Sequence, residues 1–235
     1  MLPAAPTRMK RPSPIPPARK RPPVMDDPNR RRILALALAL APLVGCANPV
    51  GTTAKSFLHK IREDPDPNVR HLAFEKIGAP GSFDSDAQKV EAVTLLSSRL
   101  NAQREPAITR AVICRSLGTI GRPEARPALL SAIDDPEAIV RTEACVALGR
   151  VGKPEDSTVL ARIAAADTSL DGRIAAIDGL GELRSTDPRI ITVLLDGMEH
   201  DDPAVRMASL NSLRKLTKQE HGADAKTWRK MLQKG

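Results

Sequence analysis

An internal repeat most strongly limits what this chain can fold into. Ile or Leu stands seven residues after each of five arginines, and Gly stands eight residues after the first four. The third position after each arginine is small or aliphatic, and positions 3 and 7 lie on one face of a helix. The pattern predicts helices that pack through a shared apolar face. The arginines, separated by 40, 31, 32 and 33 residues, are Arg70, Arg110, Arg141, Arg173 and Arg206.

A second apolar-periodic segment precedes each arginine-bearing helix, as in Val90, Val93, Leu96 and Leu100. This spacing fits one face of a helix. Where an Asp precedes a proline, we predict an N-cap followed by Pro at the first helical position. The chain is thus predicted to be a row of helical hairpins. The four acid-proline turns are Asp66-Pro67, Glu105-Pro106, Asp135-Pro136 and Asp202-Pro203.

The recurring Asp-Pro, Val-Arg, Ala and Leu-Gly marks resemble HEAT repeats, especially the short bacterial kind, over roughly residues 52–217. The resemblance implies an all-α fold, an α-solenoid of about five HEAT-like two-helix repeats with a C-terminal capping helix. Aromatic residues are only 2% of the chain, which also favours helices over a large β-sheet core. The unit around Arg173 departs from the pattern because it lacks the Asp-Pro turn.

The end of the repeat region is marked by Arg214, which replaces the recurring glycine. A short helix from about Asp224 places Trp228, Met231 and Leu232 on one face. We predict repeats over residues 52–221 and a cap over 222–235, with the tryptophan covering the last exposed edge of the stack.

The N-terminal region has features that are typical of an export signal. Residues 1–29 form a basic, proline-rich segment that we expect to be disordered. Residues 30–45 combine three arginines with a short apolar run, typical of a signal peptide. As a helix the 12-residue run from Ile33 to Val44 would span about 18 Å, less than the roughly 30 Å of a bilayer core.

The last four residues of this signal, Leu43-Val44-Gly45-Cys46, resemble the lipobox of bacterial lipoproteins. The resemblance implies lipidation of Cys46, cleavage before it, and a tether over residues 46–51. Two or more acyl chains would anchor the protein stably to a membrane. Met25 would give a signal peptide of ordinary length, so we predict that translation starts there.

Charge is concentrated in the leader. Residues 1–45 hold nine Lys or Arg and two Asp, which leaves 27 basic and 26 acidic residues in the rest of the chain. This nearly neutral remainder lacks the concentrated basic surface that nucleic-acid binding needs. We interpret the repeat arginines as scaffold residues that bond with Asp66, Asp135 and Asp202 to tie one repeat to its neighbour.

The remaining reactive side chains suggest no catalytic or metal centre. Cys114 and Cys145 occupy equivalent positions on adjacent helices, whose spacing favours buried free thiols over a disulfide. None of the four histidines has metal-ligand spacing with a cysteine, and we predict neither a metal nor a cofactor. The run Glu199-His200-Asp201-Asp202 is interpreted as a solvated turn rather than a cation site. We therefore expect that the chain is not an enzyme.

The sequence favours a protein-binding or assembly scaffold, lipid-anchored in the bacterial cell envelope and facing the periplasm or exterior. Its partner would be an unidentified protein, recognised by polar side chains of the arginine-bearing helices. Two alternatives stay open: a HEAT-like enzyme or enzyme accessory of the lyase type, and a purely structural envelope component. The candidate contact residues are Arg115, Arg150, Asp178 and Glu182.

Overall fold

The computed structural model describes residues 51–232, and every regular element in that range is a helix. The predictions about residues 1–50, which include the signal peptide and Cys46, lie outside the described residues, as do residues 233–235. The eleven helices are α1 (Ala54–Glu63), α2 (Pro67–Ile77), α3 (Asp86–Ala102), α4 (Ala107–Ile120), α5 (Arg126–Ala132), α6 (Ala138–Val151), α7 (Ser157–Ala166), α8 (Leu170–Leu183), α9 (Pro188–Gly197), α10 (Pro203–Thr217) and α11 (Ala225–Leu232).

Five helical hairpins follow one another, α1–α2 to α9–α10, and α11 completes the described part. Single 3₁₀ turns, Pro123–Ala125 and Pro154–Asp156, lead into α5 and α7. Each of the five repeat arginines lies in the second helix of its hairpin, as the sequence predicted. The all-α solenoid of about five two-helix repeats with a C-terminal capping helix is therefore confirmed.

The Asp-Pro turns follow the predicted capping rule in two of three places. Asp66 and Asp202 cap α2 and α10, and each side chain accepts a hydrogen bond from a main-chain N–H of the first helical turn. The prediction was wrong at Asp135, because the N-cap of α6 is Glu137. The fourth turn contains Glu105, and there the N-cap of α4 is Pro106. Those two carboxylates face the preceding hairpin instead.

One continuous apolar core runs through the hairpins from Phe57 in α1 to Trp228 in α11. The core is built from Leu, Ile, Val and Ala, with Phe57, Phe74 and Trp228 as its aromatic members. Because each hairpin buries its apolar face only against its neighbours, stacking supplies the hydrophobic stabilisation that a single unit lacks.

The recurring glycine lets consecutive second helices touch. A Cβ on Gly118 of α4 would lie 2.8 Å from Cα of Ala147 in α6, and a Cβ on Gly149 of α6 would lie 2.8 Å from Cα of Gly179 in α8. Neither contact leaves room for a side chain. In every pair, the glycine eight residues after one repeat arginine meets the small residue six residues after the next. The four pairs are Gly78/Ser116, Gly118/Ala147, Gly149/Gly179 and Gly181/Ser212.

The cap is built around Trp228, which is completely buried and donates a hydrogen bond from Nε1 to the Gly222 carbonyl oxygen at 2.9 Å. The ring of His221 lies edge-on to it, with centroids 4.7 Å apart. Leu232 is half-buried, whereas Met231 is exposed, so the predicted three-residue apolar face holds for two of its members. Within residues 51–232 no helix combines the length and apolar character needed to cross a bilayer.

Candidate functional site

Three repeat arginines form ion pairs that join consecutive hairpins. We call these pairs the arginine ladder: Arg70 with Glu105, Arg110 with Asp135, and Arg141 with Asp167. In each pair the carboxylate belongs to the loop before the second helix of the following hairpin, and Nε and Nη2 of the arginine each donate to one of its oxygens. Such two-point bonds fix both distance and orientation between hairpins.

The pair of Arg110 and Asp135 is the most buried. Nη1 of this arginine also donates to the main-chain oxygen of Glu105 at 2.9 Å, so the guanidinium fixes the loop before its own helix as well. Burial alone would raise the pKa of the Asp135 carboxyl. The hydrogen bonds from Arg110 and from the Glu137 main-chain N–H outweigh burial and hold that pKa below its usual value.

The arginines tie neighbouring hairpins as predicted, but the carboxylate partners differ from the aspartates named from the sequence. Arg70 lies four residues after Asp66, but its carboxylate partner is Glu105, with both distances 3.0 Å. Arg141 pairs with Asp167, with both distances 2.8 Å, and touches Asp135 only through the main-chain oxygen. An N-capping carboxylate is turned toward main-chain N–H groups of its own helix, which removes it from the arginine's reach.

The last two repeat arginines leave the pattern. Arg206 donates from Nη1 to the main-chain oxygens of His200 and Asp201, at 2.9 and 2.7 Å, and forms no ion pair within residues 51–232. Arg173 also lacks an ion pair there, and its Nε is buried without a hydrogen-bond partner. Of the five arginines predicted to be scaffold residues, Arg70, Arg110 and Arg141 thus bond to a carboxylate of the next hairpin within residues 51–232.

His200 occupies the position of a ladder carboxylate. It precedes Arg206 by six residues, as Asp135 precedes Arg141 and Asp167 precedes Arg173. Its Nδ1 accepts a hydrogen bond from the Asp202 main-chain N–H at 3.0 Å, as the two aspartates accept from the residue two positions on. The half-buried ring thus reproduces the local turn but offers no carboxylate to Arg173. The run from Glu199 to Asp202 forms a turn whose side chains are exposed or half-buried.

A further pair between hairpins escaped the sequence analysis. Arg126 at the start of α5 donates from Nε to Asp156 at 2.7 Å and from Nη2 to its other carboxylate oxygen. Asp156 is buried and also accepts from the Lys153 main-chain N–H. Hydrogen bonds from Arg126 and Lys153 outweigh burial and lower the pKa of its carboxyl. The two residues occupy different positions of their own repeats, so register gave no sign of the pair.

The second helices also present a solvent-facing surface, the second-helix face. Its residues stand two before and two, five or nine after a repeat arginine, which places them along one stripe of each helix. The stripe carries an exposed isoleucine and an arginine on both α4 and α6, with Glu143 also on α6, and it is acidic on α8. Its residues are Ile108, Arg115, Ile139, Glu143, Arg150, Asp171, Asp178, Glu182 and Lys215.

All four candidate contact residues lie on this face, and two of them bridge neighbouring helices. Arg115 pairs with Glu143 of α6, and Glu182 pairs with Lys215 of α10 at 2.7 Å. Arg150 is exposed and has no hydrogen-bond or ion-pair partner among the described residues. The structure therefore brings the four residues onto one surface, where part of their charge is neutralised across helices.

The acidic part of the second-helix face has unequal carboxyl groups. The pKa of Asp178 is raised, chiefly because packed protein atoms displace water around its carboxyl and secondarily through the charge of Glu182. The pKa of Glu182 is lowered, chiefly by the hydrogen bond from Lys215. Asp178 is thus the carboxylate that would gain most from an additional positive charge.

Cys114 and Cys145 are buried free thiols. Burial raises the pKa of each to about 12, which keeps them protonated and poorly nucleophilic near neutral pH. No group of three or more His, Cys, Asp or Glu side chains within residues 51–232 is arranged to hold a metal ion.

The repeating hairpins, the buried ladder and the glycine contacts define a class of protein, the α-solenoids built from helix pairs. The family model for HEAT repeats matches residues 93–171 and 161–226, more than half of the chain. The chain belongs to the HEAT-repeat family. No curated protein matches it significantly in sequence.

Among solved structures, 22 chains match significantly. One belongs to the complex of CpcE and CpcF of phycocyanin lyase from Nostoc sp. PCC7120, with 19% sequence identity and a TM-score of 0.58. The match covers 72% of this chain and 66% of that one, slightly less than two thirds of its length. At this identity the likeness concerns the fold.

Proposed function

We propose that the protein is a membrane-anchored scaffold that binds another protein in the bacterial cell envelope. One observation carries the binding half of this proposal: Ile108 and Ile139 stand at the same repeat position of α4 and α6, and they are 55% and 43% exposed. Solvent-exposed isoleucines at matching positions of adjacent helices are typical of a contact surface rather than of a packed core.

The surroundings of the two isoleucines support a protein partner. Arg115 and Arg150 lie on the same stripes as Ile108 and Ile139, so an apolar centre has a charged rim. Interfaces between proteins combine an apolar centre with a polar rim and are enriched in arginine. The ladder arginines are committed to neighbouring hairpins, which leaves the second-helix face as the place for recognition.

The relative of known structure adds weaker support. Its chain was found in a complex of two polypeptides, CpcE and CpcF, which fits a HEAT-like stack that binds a protein. The phycocyanin lyase activity in the same title keeps the enzyme-accessory alternative open. A bound chromophore in the protein isolated from cells would favour that alternative, and a deletion that weakens the envelope without losing any complex would favour a purely structural role.

The binding half is tested by crosslinking in cells that produce the tagged full chain. We expect one protein to be recovered reproducibly with the wild type and lost with Ile108→Asp combined with Ile139→Asp, because burying a carboxylate in an apolar contact is unfavourable. Val90→Asp is the matched control, since Val90 is 38% exposed on first helix α3. Equal recovery with the double variant, or no specific protein with the wild type, would contradict the proposal.

The anchoring half rests on Cys46, the signal peptide over residues 30–45 and the tether over residues 46–51. Membrane-extracted protein should have the intact mass of a chain that begins at Cys46 and carries acyl groups. Cys46→Ser should move the protein out of the membrane fraction, because the acyl chains supply the anchor. A leader still attached in the mature protein would contradict export, and peptides from residues 1–24 would contradict the start at Met25.

A further inference from the structure

The arginine ladder has a gap at its fourth rung. Arg173 should bond to a carboxylate six residues before Arg206, but His200 stands there. A guanidinium group can only donate hydrogen bonds. The Nε of Arg173 is nevertheless buried and without a hydrogen-bond partner among residues 51–232. A buried unpaired donor on a charged group is costly, and native proteins rarely leave one unexplained.

No carboxylate of the neighbouring hairpins fills the gap. Asp167 feels the charge of Arg173, but its pKa is lowered first by the hydrogen bonds from Arg141, to which both of its oxygens are committed. Asp196 lies nearby, but its Oδ1 accepts a hydrogen bond from Arg229 at 2.8 Å. The Nε donor of Arg173 is therefore available to a carboxylate from outside the described fold.

Space for such a group exists beside Arg173. A cavity of about 250 Å³ is lined by Arg173, His200 and Asp196 and by the apolar residues of α7 to α10. Its apolar wall consists of Ala164, Ala165, Ile177, Val193 and Val205. A cavity with one cationic donor and an aliphatic wall fits a carboxylate carried on a short aliphatic stem. The charge of Asp196 would oppose an anion there, but the cation of Arg229 offsets it.

We infer that this cavity is a carboxylate-binding site, in which Arg173 binds an external carboxylate at the place where the other rungs hold Glu105, Asp135 and Asp167. The aliphatic stem of the ligand packs on Ile177, Val193 and Val205. A free short-chain acid and the acidic side chain of a bound polypeptide share this chemistry. The inference is independent of the proposed scaffold role, since either ligand fills the same gap.

The test uses the full chain with Cys46→Ser, which removes the lipid attachment point, and follows main-chain amide NMR signals during titration. Butyrate is the probe because it reproduces a glutamate side chain from Cα outward, and butyramide is its uncharged counterpart. We expect saturable butyrate binding that shifts signals of α8 and of the loop holding His200. Butyramide should bind at least tenfold more weakly, because it lacks the charge that Arg173 recognises.

Two substitutions and a control define the site. Arg173→Gln should weaken butyrate binding at least tenfold, whereas Arg162→Gln, which removes an exposed arginine of α7, should leave it unchanged. His200→Asp should abolish butyrate binding and raise the midpoint of thermal unfolding, because an internal carboxylate then completes the rung. Because the His200→Asp variant retains Arg173, it tests the carboxylate-binding site even if Arg173→Gln does not fold.

A blocked glutamate, N-acetyl-glutamate amide, distinguishes the two sources of the carboxylate. Binding at least as tight as that of butyrate would assign the site to an acidic side chain of a polypeptide, and clearly weaker binding would assign it to a free short-chain acid. Equal binding of butyrate and butyramide would overturn the inference. So would undiminished butyrate binding in His200→Asp.

Discussion

Arg110 of the second hairpin and Asp135 of the third are joined by two parallel hydrogen bonds, 2.9 Å from Nε and 2.8 Å from Nη2, and the aspartate side chain is 1% exposed. A charge pair in this position fixes the spacing of two hairpins. Its carboxylate would be left buried and unpaired without the arginine.

Arg110→Gln should therefore lower the free energy of unfolding by roughly 3 kcal/mol, the usual cost of removing one partner from a buried ion pair. Urea denaturation followed by circular dichroism measures the change. Asp134→Ala is the matched control because it breaks an exposed pair with Arg162, 2.8 Å long, and should change stability by less than about 1 kcal/mol. Equal effects of the two variants would show that the buried pair does not hold the hairpins together.

Asp167 gives the ladder a pH dependence. Its pKa lies below the usual value, chiefly because Arg141 donates two hydrogen bonds to it. A carboxyl whose folded-state pKa is depressed contributes stability above its unfolded pKa of about 3.9, and the contribution is lost as pH falls through the lower folded value. Asp167→Asn should thus destabilise the protein at pH 7, and its deficit against the wild type should shrink below about pH 4.

Free energies of unfolding from urea titrations at several pH values between neutral and strongly acid provide the measurement. Thr168→Ala serves as control because it alters the adjacent residue without removing an ionisable group. A deficit for Asp167→Asn that stays constant down to the most acid pH would mean that the carboxylate is not stabilised by Arg141.

Gly149→Ala tests the contact between second helices. Alanine is the better helix former by about 1 kcal/mol, but its Cβ would lie 2.8 Å from Cα of Gly179, where backbone cannot yield cheaply. Overpacking should dominate and destabilise the protein by about 1–3 kcal/mol. Arg214→Ala, at the same repeat position of α10, should change stability by less than about 1 kcal/mol, because the Arg214 side chain makes only a partly exposed pair with Glu220 among the described residues. Stabilisation by Gly149→Ala would refute the proposed close approach.

The buried thiols of Cys114 and Cys145 should resist alkylation. With the pKa of each raised to about 12 by burial, the reactive thiolate is scarce at pH 8, and the core also excludes the reagent. In the Cys46→Ser chain, iodoacetamide should label neither residue under native conditions and both in 6 M guanidinium, as judged by intact mass. Rapid labelling of the native protein would indicate that α4 and α6 open locally.

The sequence predicted the hairpins because their determinants are local and repeated. Apolar spacing places the helices. The close contact at the glycine eight residues after each of the first four repeat arginines was seen only in the structure. The cap was also predictable, since Trp228 stands on an amphipathic helix after Arg214 has ended the glycine series. Met231 is nevertheless exposed, although its spacing from Trp228 is that of a shared helical face.

The ion pairs could not be assigned because they cross hairpins. Asp66 and Arg70 are close in sequence, but capping claims the aspartate and leaves Glu105, 35 residues away, as the partner. The cavity beside Arg173 was missed for the same reason. The residues six before Arg141, Arg173 and Arg206 are Asp135, Asp167 and His200, so the last two rungs alone would have shown a histidine in the place of an acid. The missing hydrogen-bond partner of Arg173 among the described residues could be recognised only from the relative placement of two hairpins.

In an internal hairpin, the second helix presents its recurring glycine to the following hairpin and the small residue six positions after its arginine to the preceding hairpin. A second copy of one hairpin, such as residues 123–153, inserted next to the original could therefore make the same glycine contacts with both of its neighbours. Lengthening the row at that point requires no new kind of contact between hairpins. At α10 the recurring glycine is replaced by Arg214, so a module inserted directly after α10 would lack this close contact.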